Sequence, residues 1–214
     1  MKFFVLDNPT HAETSALTDF RYTDDAREGD APRCPLCGKF IGLIPTLPPV
    51  RVELETWDKI IGDIAFGPGD QMLFSERVVE LFSRLNLSGL TEVLPAEVVK
   101  VKSHKKLNTV LPVYYCCQVA RSRAVIDDIG SEIIRLRPWT CLECRTGGPF
   151  VRLKKVVLED GSWSGEDLFV PRGLTGRILA SEKFKNACER EKISNCLLIP
   201  ADEFGFEYSY SKKQ

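Results

Sequence analysis

Two stretches of the chain have the apolar spacing of an amphipathic helix. Apolar side chains recur at i, i+3, i+4 and i+7 over residues 78–85, and at i, i+3 and i+4 over residues 184–188. A serine and a glutamate precede each stretch, where an N-cap oxygen and a favourable first-turn charge are expected: Ser75-Glu76 and Ser181-Glu182. The pattern predicts two short helices, each with one buried face.

Apolar runs and alternating runs predict the strands. They cover residues 3–6, 50–54, 90–94, 99–102, 110–119, 151–158 and 196–199. The runs after the two helices are expected to end near Pro95 and Pro200. Residues 99–102 and 110–119 are expected to form a hairpin with a solvated tip at 103–108. Residues 124–134 fit a short helix or a strand.

Polar segments separate these elements. Residues 7–32 are acidic and predict a loop with little regular structure, and the tail 208–214 is expected to fray. The glycine-rich run 67–70 lacks the Lys-Ser/Thr of a phosphate loop and predicts a turn.

The same order of residues occurs twice in the chain. The first copy contains Trp57, Asp63-Ile64, Met72–Arg77, Leu87-Ser88 and Pro95-Ala96, and the second contains Trp163, Asp167-Leu168, Ile178–Lys183, Ile193-Ser194 and Pro200-Ala201. This alignment places Cys188 opposite Phe82 and Cys196 opposite Leu90, so both thiols are expected to be buried. The fold class predicted is α+β, with two related β/α units produced by internal duplication.

Four of the eight cysteines form two CxxC pairs, Cys34 with Cys37 and Cys141 with Cys144. Each pair places two thiolates on one side of a turn, and two such knuckles supply the four soft ligands of a tetrahedral structural Zn²⁺ site. Four protein ligands leave no open position for substrate, so the predicted metal is architectural. Iron suits the same ligands, and a redox pair at Cys34 and Cys37 is a further alternative.

The residue after each knuckle differs between the two pairs. Gly38 suits a turn that needs positive φ, whereas the second pair has Arg145 at this position. Cys116 and Cys117 are adjacent in a β-prone run. Their side chains are expected on opposite faces, which makes them poor joint ligands.

The knuckles and the repeat divide the chain into four predicted segments. Residues 1–33 form an N-terminal strand and acidic loop, 34–107 the first repeat with its knuckle, 108–140 connecting strands, and 141–214 the second repeat with its knuckle. The apolar run at the amino terminus is too short for a signal peptide, and no stretch approaches a membrane span.

Charge and composition limit the classes of function that the chain can have. The formal net charge of −1 argues against broad nucleic-acid binding, which depends on a positive surface. Eight cysteines without an export signal indicate reduced thiols and a cytoplasmic location. We predict no catalytic residues, because His11 and His104 lie in no recognisable motif. Asp63 and Asp167 fit capping or turn roles, or paired carboxylates if the two halves face each other.

The two CxxC pairs, the first as Cys34-Pro-Leu-Cys37-Gly38, and the Ser181-Glu182 helix start resemble the double-CXXCG motif proteins of myxobacteria. That family is regarded as immunity proteins paired with toxins. The resemblance spans residues 34–204 and implies metal ligation by the four paired cysteines, no catalytic residues and a cognate toxin as partner. Arg145 departs from the family's second glycine. The toxin-binding residues and the oligomeric state do not follow from the motif.

Two classes of function therefore compete. The first is a stoichiometric, non-catalytic inhibitor of a toxin, with a zinc-pinned scaffold. The second is a zinc-ribbon adaptor that contacts nucleic acid or a transcription component through the basic stretch from Lys100 to Arg123. A thiol enzyme that uses Cys34 and Cys37 is a weaker third.

Overall fold

The computed structural model describes residues 1–208, and the side chain of residue 70 is not described. The helices are α1 (Glu76–Arg84) and α2 (Glu182–Glu191), and a 3-10 helix covers Pro68–Asp70. The strands are β1 (Phe3–Asp7), β2 (Thr18–Tyr22), β3 (Arg27–Glu28), β4 (Thr46–Leu47), β5 (Val50–Thr56), β6 (Ile64–Phe66), β7 (Met72–Ser75), β8 (Leu90–Ser103), β9 (Tyr114–Val125), β10 (Ile134–Arg135), β11 (Phe150–Leu153), β12 (Leu168–Arg172), β13 (Ile178–Ser181), β14 (Leu197–Pro200) and β15 (Phe206–Glu207). The fold is mixed α+β and consists mostly of sheet, as predicted.

The large sheet closes on itself at one end. Its strand order is β14-β1-β13-β12-β9-β7-β6-β2-β5-β8, and β8 also pairs with β9. Strands β9, β7, β6, β2, β5 and β8 therefore form a six-stranded ring, and the other four extend from β9 as a side sheet. The two smaller sheets are β10-β11-β15 and β3-β4.

Three apolar clusters hold these parts together. The first lies under both helices, where the predicted apolar faces meet and the rings of Phe82 and Phe184 lie 5.8 Å apart. The second fills the space beside the side sheet around Phe169, and the third fills the ring of strands around Leu54 and Tyr114. Burial of these faces is the main stabilising term for the fold.

Two groups of elements have matching strand registers. We call β6, β7, α1 and β8 unit 1, and β12, β13, α2 and β14 unit 2. In unit 1, β9 lies between β7 and β8, with Tyr115 opposite Pro95. In unit 2, β1 lies between β13 and β14, with Phe4 opposite Pro200. Strand β1, which comes before unit 1 in the chain, is thus inserted into unit 2. Strand β9, which comes before unit 2, is inserted into unit 1.

Buried aspartates link the units reciprocally. Asp63 of unit 1 accepts hydrogen bonds from Ser75 Oγ at 3.0 Å and from the Ser194 amide and hydroxyl at 2.9 and 2.8 Å. Asp167 of unit 2 accepts from Ser181 Oγ at 2.7 Å and from the amide of Ser88 at 3.0 Å. Each carboxylate therefore joins the start of its own helix to the segment that follows the helix of the other unit.

Both predicted helices are confirmed, but only one has the expected cap. The Ser181 hydroxyl accepts from the Phe184 amide at 3.2 Å. The Ser75 side chain makes no capping bond, and its hydroxyl donates to Asp63 as the Ser181 hydroxyl donates to Asp167. Ser75 still ends the preceding strand and begins α1.

Several strand predictions were wrong in extent. Residues 7–32 contain β2 and β3, because the alternating residues of β2 bury one face against β5. β8 does not end at Pro95, and residues 99–102 do not face 110–119. From Ala96 onward, β8 pairs in parallel with β5. The antiparallel partners of β9 are instead residues 90–96.

The remaining expectations differ in detail. Residues 124–134 contain the end of β9, a turn and the start of β10, with no helix. Only the first part of 151–158 is strand, whereas β14 ends at Pro200 as predicted. The predicted frayed tail lies outside the described residues from 209 onward. Within residues 1–208, neither helix combines the length and apolar character needed to cross a bilayer.

Candidate metal centre

The first knuckle is a tight turn held by its own backbone. The amide of Gly38 donates to the carbonyl of Cys34, and the amide of Cys34 donates to the carbonyl of Lys39, both at 2.9 Å. Gly38 has φ of +71°, and a Cβ added there would meet no atom within 4 Å. Glycine is therefore required at this position for its backbone conformation rather than for lack of space.

The second knuckle repeats this turn without a glycine. The Arg145 amide donates to the Cys141 carbonyl at 2.9 Å, and Arg145 has φ of +51°. Its guanidinium forms an ion pair with Glu159 and lies 5.0 Å from the centre of the Trp139 ring. These side-chain contacts offset the strain of a left-handed non-glycine residue.

The two turns bring four sulfur atoms together. Cys34 Sγ lies 3.8 Å from Cys141 Sγ, Cys37 Sγ lies 3.6 Å from Cys144 Sγ, and all four lie within 4.8 Å of one another. Because a zinc–sulfur bond is about 2.3 Å long, the edges of a tetrahedral zinc site with four sulfurs are about 3.8 Å. The sulfur positions thus fit one tetrahedral cation, and all four cysteines are free thiols.

Burial and backbone donors shape the chemistry of the cluster. Cys34, Cys141 and Cys144 are buried, whereas Cys37 is exposed. The amide of Lys39 favours the Cys37 thiolate, but desolvation and hydrogen bonds with the other three thiols raise the pKa of Cys37 to about 12. Burial opposes ionisation of Cys144, yet hydrogen bonds from Thr146 and the neighbouring thiols outweigh it and lower the pKa of Cys144 to about 7.

Hydrogen bonds among the thiols contribute to both pKa shifts. Once one thiol in the cluster is ionised, a second negative charge a few ångströms away is costly unless a cation is present. A divalent metal removes that cost and allows all four sulfurs to bind as thiolates. The donor set and geometry are therefore compatible with a metal. Within residues 1–208, these four cysteines are the group of potential ligands whose donor atoms lie close enough together to share one ion.

The other cysteines lie outside the cluster. Cys117 packs under the helices and Cys116 faces the ring of strands, which confirms that neighbours on β9 point to opposite faces. Cys188 is buried, as predicted, whereas Cys196 is only partly buried, against the same cluster. Desolvation raises the pKa of Cys117 to about 12, as expected for an unreactive thiol.

The candidate carboxylates and histidines have structural contacts. Asp63 and Asp167 bind serines in separate places and do not pair with each other. The His104 ring stacks on Trp57 at 5.3 Å, and His11 packs edge-on against the same ring at 5.6 Å. No sequence motif indicates this grouping, because the three residues are far apart in the chain.

An apolar cleft of about 560 Å³ lies beside the first knuckle. One wall is the segment after the knuckle, from Ile41 to Thr46, and the opposite wall includes Cys116, Val119 and Arg121 of β9. Sequence patterns gave no sign of Arg121, which appeared only as one charge within a basic stretch.

The sequence model of an immunity protein family (Imm11) matches residues 6–203. The chain belongs to this family. The match covers both knuckles and both units, and it confirms the resemblance to an immunity protein family that the cysteine pairs indicated. No curated protein matches the chain. For this Imm11 chain, the four-cysteine cluster is the feature with the clearest chemistry, and it supplies no open coordination position.

Proposed function

We propose that this protein is an immunity protein that binds and neutralises a cognate bacterial toxin, without catalysis, on a scaffold held by a structural zinc ion. The observation that carries the proposal is the family match over residues 6–203. An inhibitor of this kind acts through shape and charge complementarity and needs no reacting groups. We place it in the cytoplasm, where free thiols stay reduced.

Zinc suits the cluster because four cysteine sulfurs at tetrahedral spacing favour a soft cation without an open site. Cys34, Cys37, Cys141 and Cys144 would hold the ion and tie residues that are more than a hundred positions apart. The metal would fix the geometry of the surface presented to the toxin. Metal analysis of the purified protein distinguishes zinc from iron.

We also infer that units 1 and 2 are products of an internal duplication. Three observations support this inference: the matching registers, the reciprocal aspartate contacts and the two knuckles facing each other across one cluster. The boundaries 34–107 and 141–214 stay a proposal for the repeats, with 1–33 and 108–140 as the segments that contain the exchanged strands.

Two lysines of the basic stretch give the adaptor alternative less support. Lys102 pairs with Glu55 at 2.5 Å, and Lys105 pairs with Asp58 at 3.0 Å. Both lysines therefore have carboxylate partners, which lowers the positive potential available to phosphates. A strongly salt-dependent affinity for RNA or DNA would favour the adaptor instead.

We expect a neighbouring gene to encode a toxic domain, and co-expression with that domain tests the immunity function. We expect the protein to restore growth and to co-purify with the toxic domain in a fixed ratio. The Cys141→Ser variant should lose protection together with bound metal, whereas Cys116→Ala, outside the cluster, should retain both. Cell death in the presence of the folded, metal-loaded protein would exclude the proposal for that toxin.

A further inference from the structure

Arg121 has an unusual environment beside the metal centre. It lies on β9 opposite Val170 of β12, and its Nη1 atom is buried with no hydrogen-bond partner among the described residues. Nη1 lies 3.7 Å from the place where a Cβ would stand on Gly42. Burying a guanidinium nitrogen without a partner is costly unless a negative charge lies nearby.

The stem of the first knuckle leads to Gly42, beside this nitrogen. The amide of Ile41 donates to the carbonyl of Pro32 at 2.9 Å, so residues 32–34 and 39–41 run side by side into the turn. Ile41 also packs against Cys34, Cys141 and Cys144. The Arg121 Nη1 atom therefore lies beside the end of the segment that carries Cys34 and Cys37.

Other cations near the cluster already have partners or contact solvent. Arg172 lies 3.4 Å from Glu143, and Arg145 is paired with Glu159. Arg33 is exposed and lies over the Phe40 ring at 3.9 Å, and Lys39 is exposed and donates to the Thr146 carbonyl. The Nη1 atom of Arg121, by contrast, has no hydrogen-bond partner among the described residues.

A divalent cation bound by four thiolates leaves a net charge of −2 on the cluster. We propose that Arg121 is an outer-sphere partner of the metal centre, whose guanidinium balances part of this negative charge. The inference rests on the proposed metal site. Groups in this outer shell tune affinity because they stabilise the charged, ligated form of the site.

The electrostatic neighbours of Arg121 agree with this role. Burial lowers its pKa, negative charge on Cys144 and Cys34 acts in the opposite direction, and Arg172 adds to the lowering. Negative charge on the sulfurs therefore opposes the desolvation of the guanidinium and favours its charged form.

Cobalt(II) titration with a competing chelator at pH 7.5 tests the proposal. We expect Arg121→Met to bind Co²⁺ about 10-fold more weakly than the native chain. The thiolate-to-metal absorption bands should stay unchanged, because the four ligands are the same. Arg121→Lys should recover most of the affinity. Arg123→Met removes one exposed charge from the same strand and should leave the affinity unchanged.

Urea unfolding of the metal-free protein at pH 6 separates this role from simple packing. With the thiols protonated, the native chain buries Arg121 without a counter-charge, so Arg121→Met should unfold at the same or a higher urea concentration. With Co²⁺ bound at pH 7.5, Arg121→Met should unfold at a lower urea concentration than the native chain. A side chain that served only to fill space would lower both midpoints when replaced.

Equal Co²⁺ affinity for the native chain and Arg121→Met would overturn the proposal, as would an equal loss of stability in the metal-free and metal-loaded forms. If Arg121→Met does not fold, Arg121→Gln gives the same comparison. A native chain that binds no Co²⁺ would overturn the metal centre itself, a result distinct from a failure of Arg121 alone.

Discussion

Gly38 and Arg145 show how one backbone requirement is met by two residue types. Both adopt positive φ after the second cysteine of a knuckle. Glycine adopts this conformation without strain, whereas Arg145 depends on Glu159 and Trp139. The departure from glycine in the second knuckle therefore leaves the turn intact.

This difference predicts opposite effects of glycine and alanine. Gly38→Ala should destabilise the metal-loaded protein by about 1 kcal/mol, because alanine is strained at φ of +71°. The Arg145→Gly variant should be more stable than Arg145→Ala by a similar amount. Both variants lose the ion pair with Glu159, and only alanine is strained at this positive φ. Urea denaturation measures both differences. Equal stability of Arg145→Gly and Arg145→Ala would contradict the argument.

Asp19 carries an unfavourable charge in the folded state. Its Oδ1 is buried without a partner, and burial, with the negative charge of Glu55, raises its pKa above the ordinary value despite a hydrogen bond with Asn8. A raised folded pKa means that the ionised carboxylate destabilises the fold at neutral pH. This penalty disappears as pH falls below the unfolded pKa of about 4.

Asp19→Asn should therefore stabilise the protein at pH 7, on the order of 1 kcal/mol. The difference between the variant and the native chain should shrink toward zero below pH 4. Denaturation curves of the two proteins at pH 7 and at pH 3.5 check this. Asp25→Asn is a suitable control of opposite sign, because hydrogen bonds with Thr23 and Arg51 lower the pKa of Asp25.

At the scale of elements, the two helices are joined through their ends. Asp63 and Asp167 each connect the start of one helix to the segment after the other, and Arg77 and Lys183 lie near the same carboxylates at 3.1 and 3.5 Å. The links hold unit 1 and unit 2 in one arrangement across the shared apolar cluster.

Asp63→Asn and Asp167→Asn should each destabilise the protein by about 2 kcal/mol, because an amide nitrogen replaces an oxygen that accepts from buried donors. The two losses should be similar, since the contacts match. Thermal unfolding of both variants, with the exposed Asp24→Asn as control, measures this. A loss at one position and none at the other would contradict the equivalence of the units.

The whole molecule combines a large apolar core with the sulfur cluster. Structural zinc contributes about 10 kcal/mol of apparent folding energy in small zinc-finger peptides. Here three apolar clusters would remain after metal loss, so the effect should be smaller, but it should extend to both halves because each contributes two ligands.

Removing the metal with a chelator should therefore lower the unfolding temperature of the native chain. The Cys144→Ser variant should have a low unfolding temperature that the chelator does not change. Cys116→Ala, outside the cluster, should respond to the chelator as the native chain does. Calorimetry with metal analysis makes the comparison. A metal-free variant that melts at the native temperature would show that the metal is peripheral to stability.

Local chemistry in the sequence was enough to predict several features. The helix periodicity located α1 and α2, because one apolar face is needed wherever they pack. The paired cysteines identified the four residues that meet in the cluster, because a CxxC turn orients both sulfurs together. The repeated order of residues predicts two related units, and the duplication itself stays a prediction.

Only the tertiary structure decided how these pieces are connected. Three features depend on partners far away in the chain. They are the exchange of β1 and β9 between the units, the parallel pairing of β8 with β5, and the position of Arg121 beside the first knuckle. A strand pattern shows which face is buried but not which neighbour covers it. For that reason the amino-acid sequence determined the elements and the four cysteines of the cluster, and long-range packing determined the topology and the charge beside that cluster.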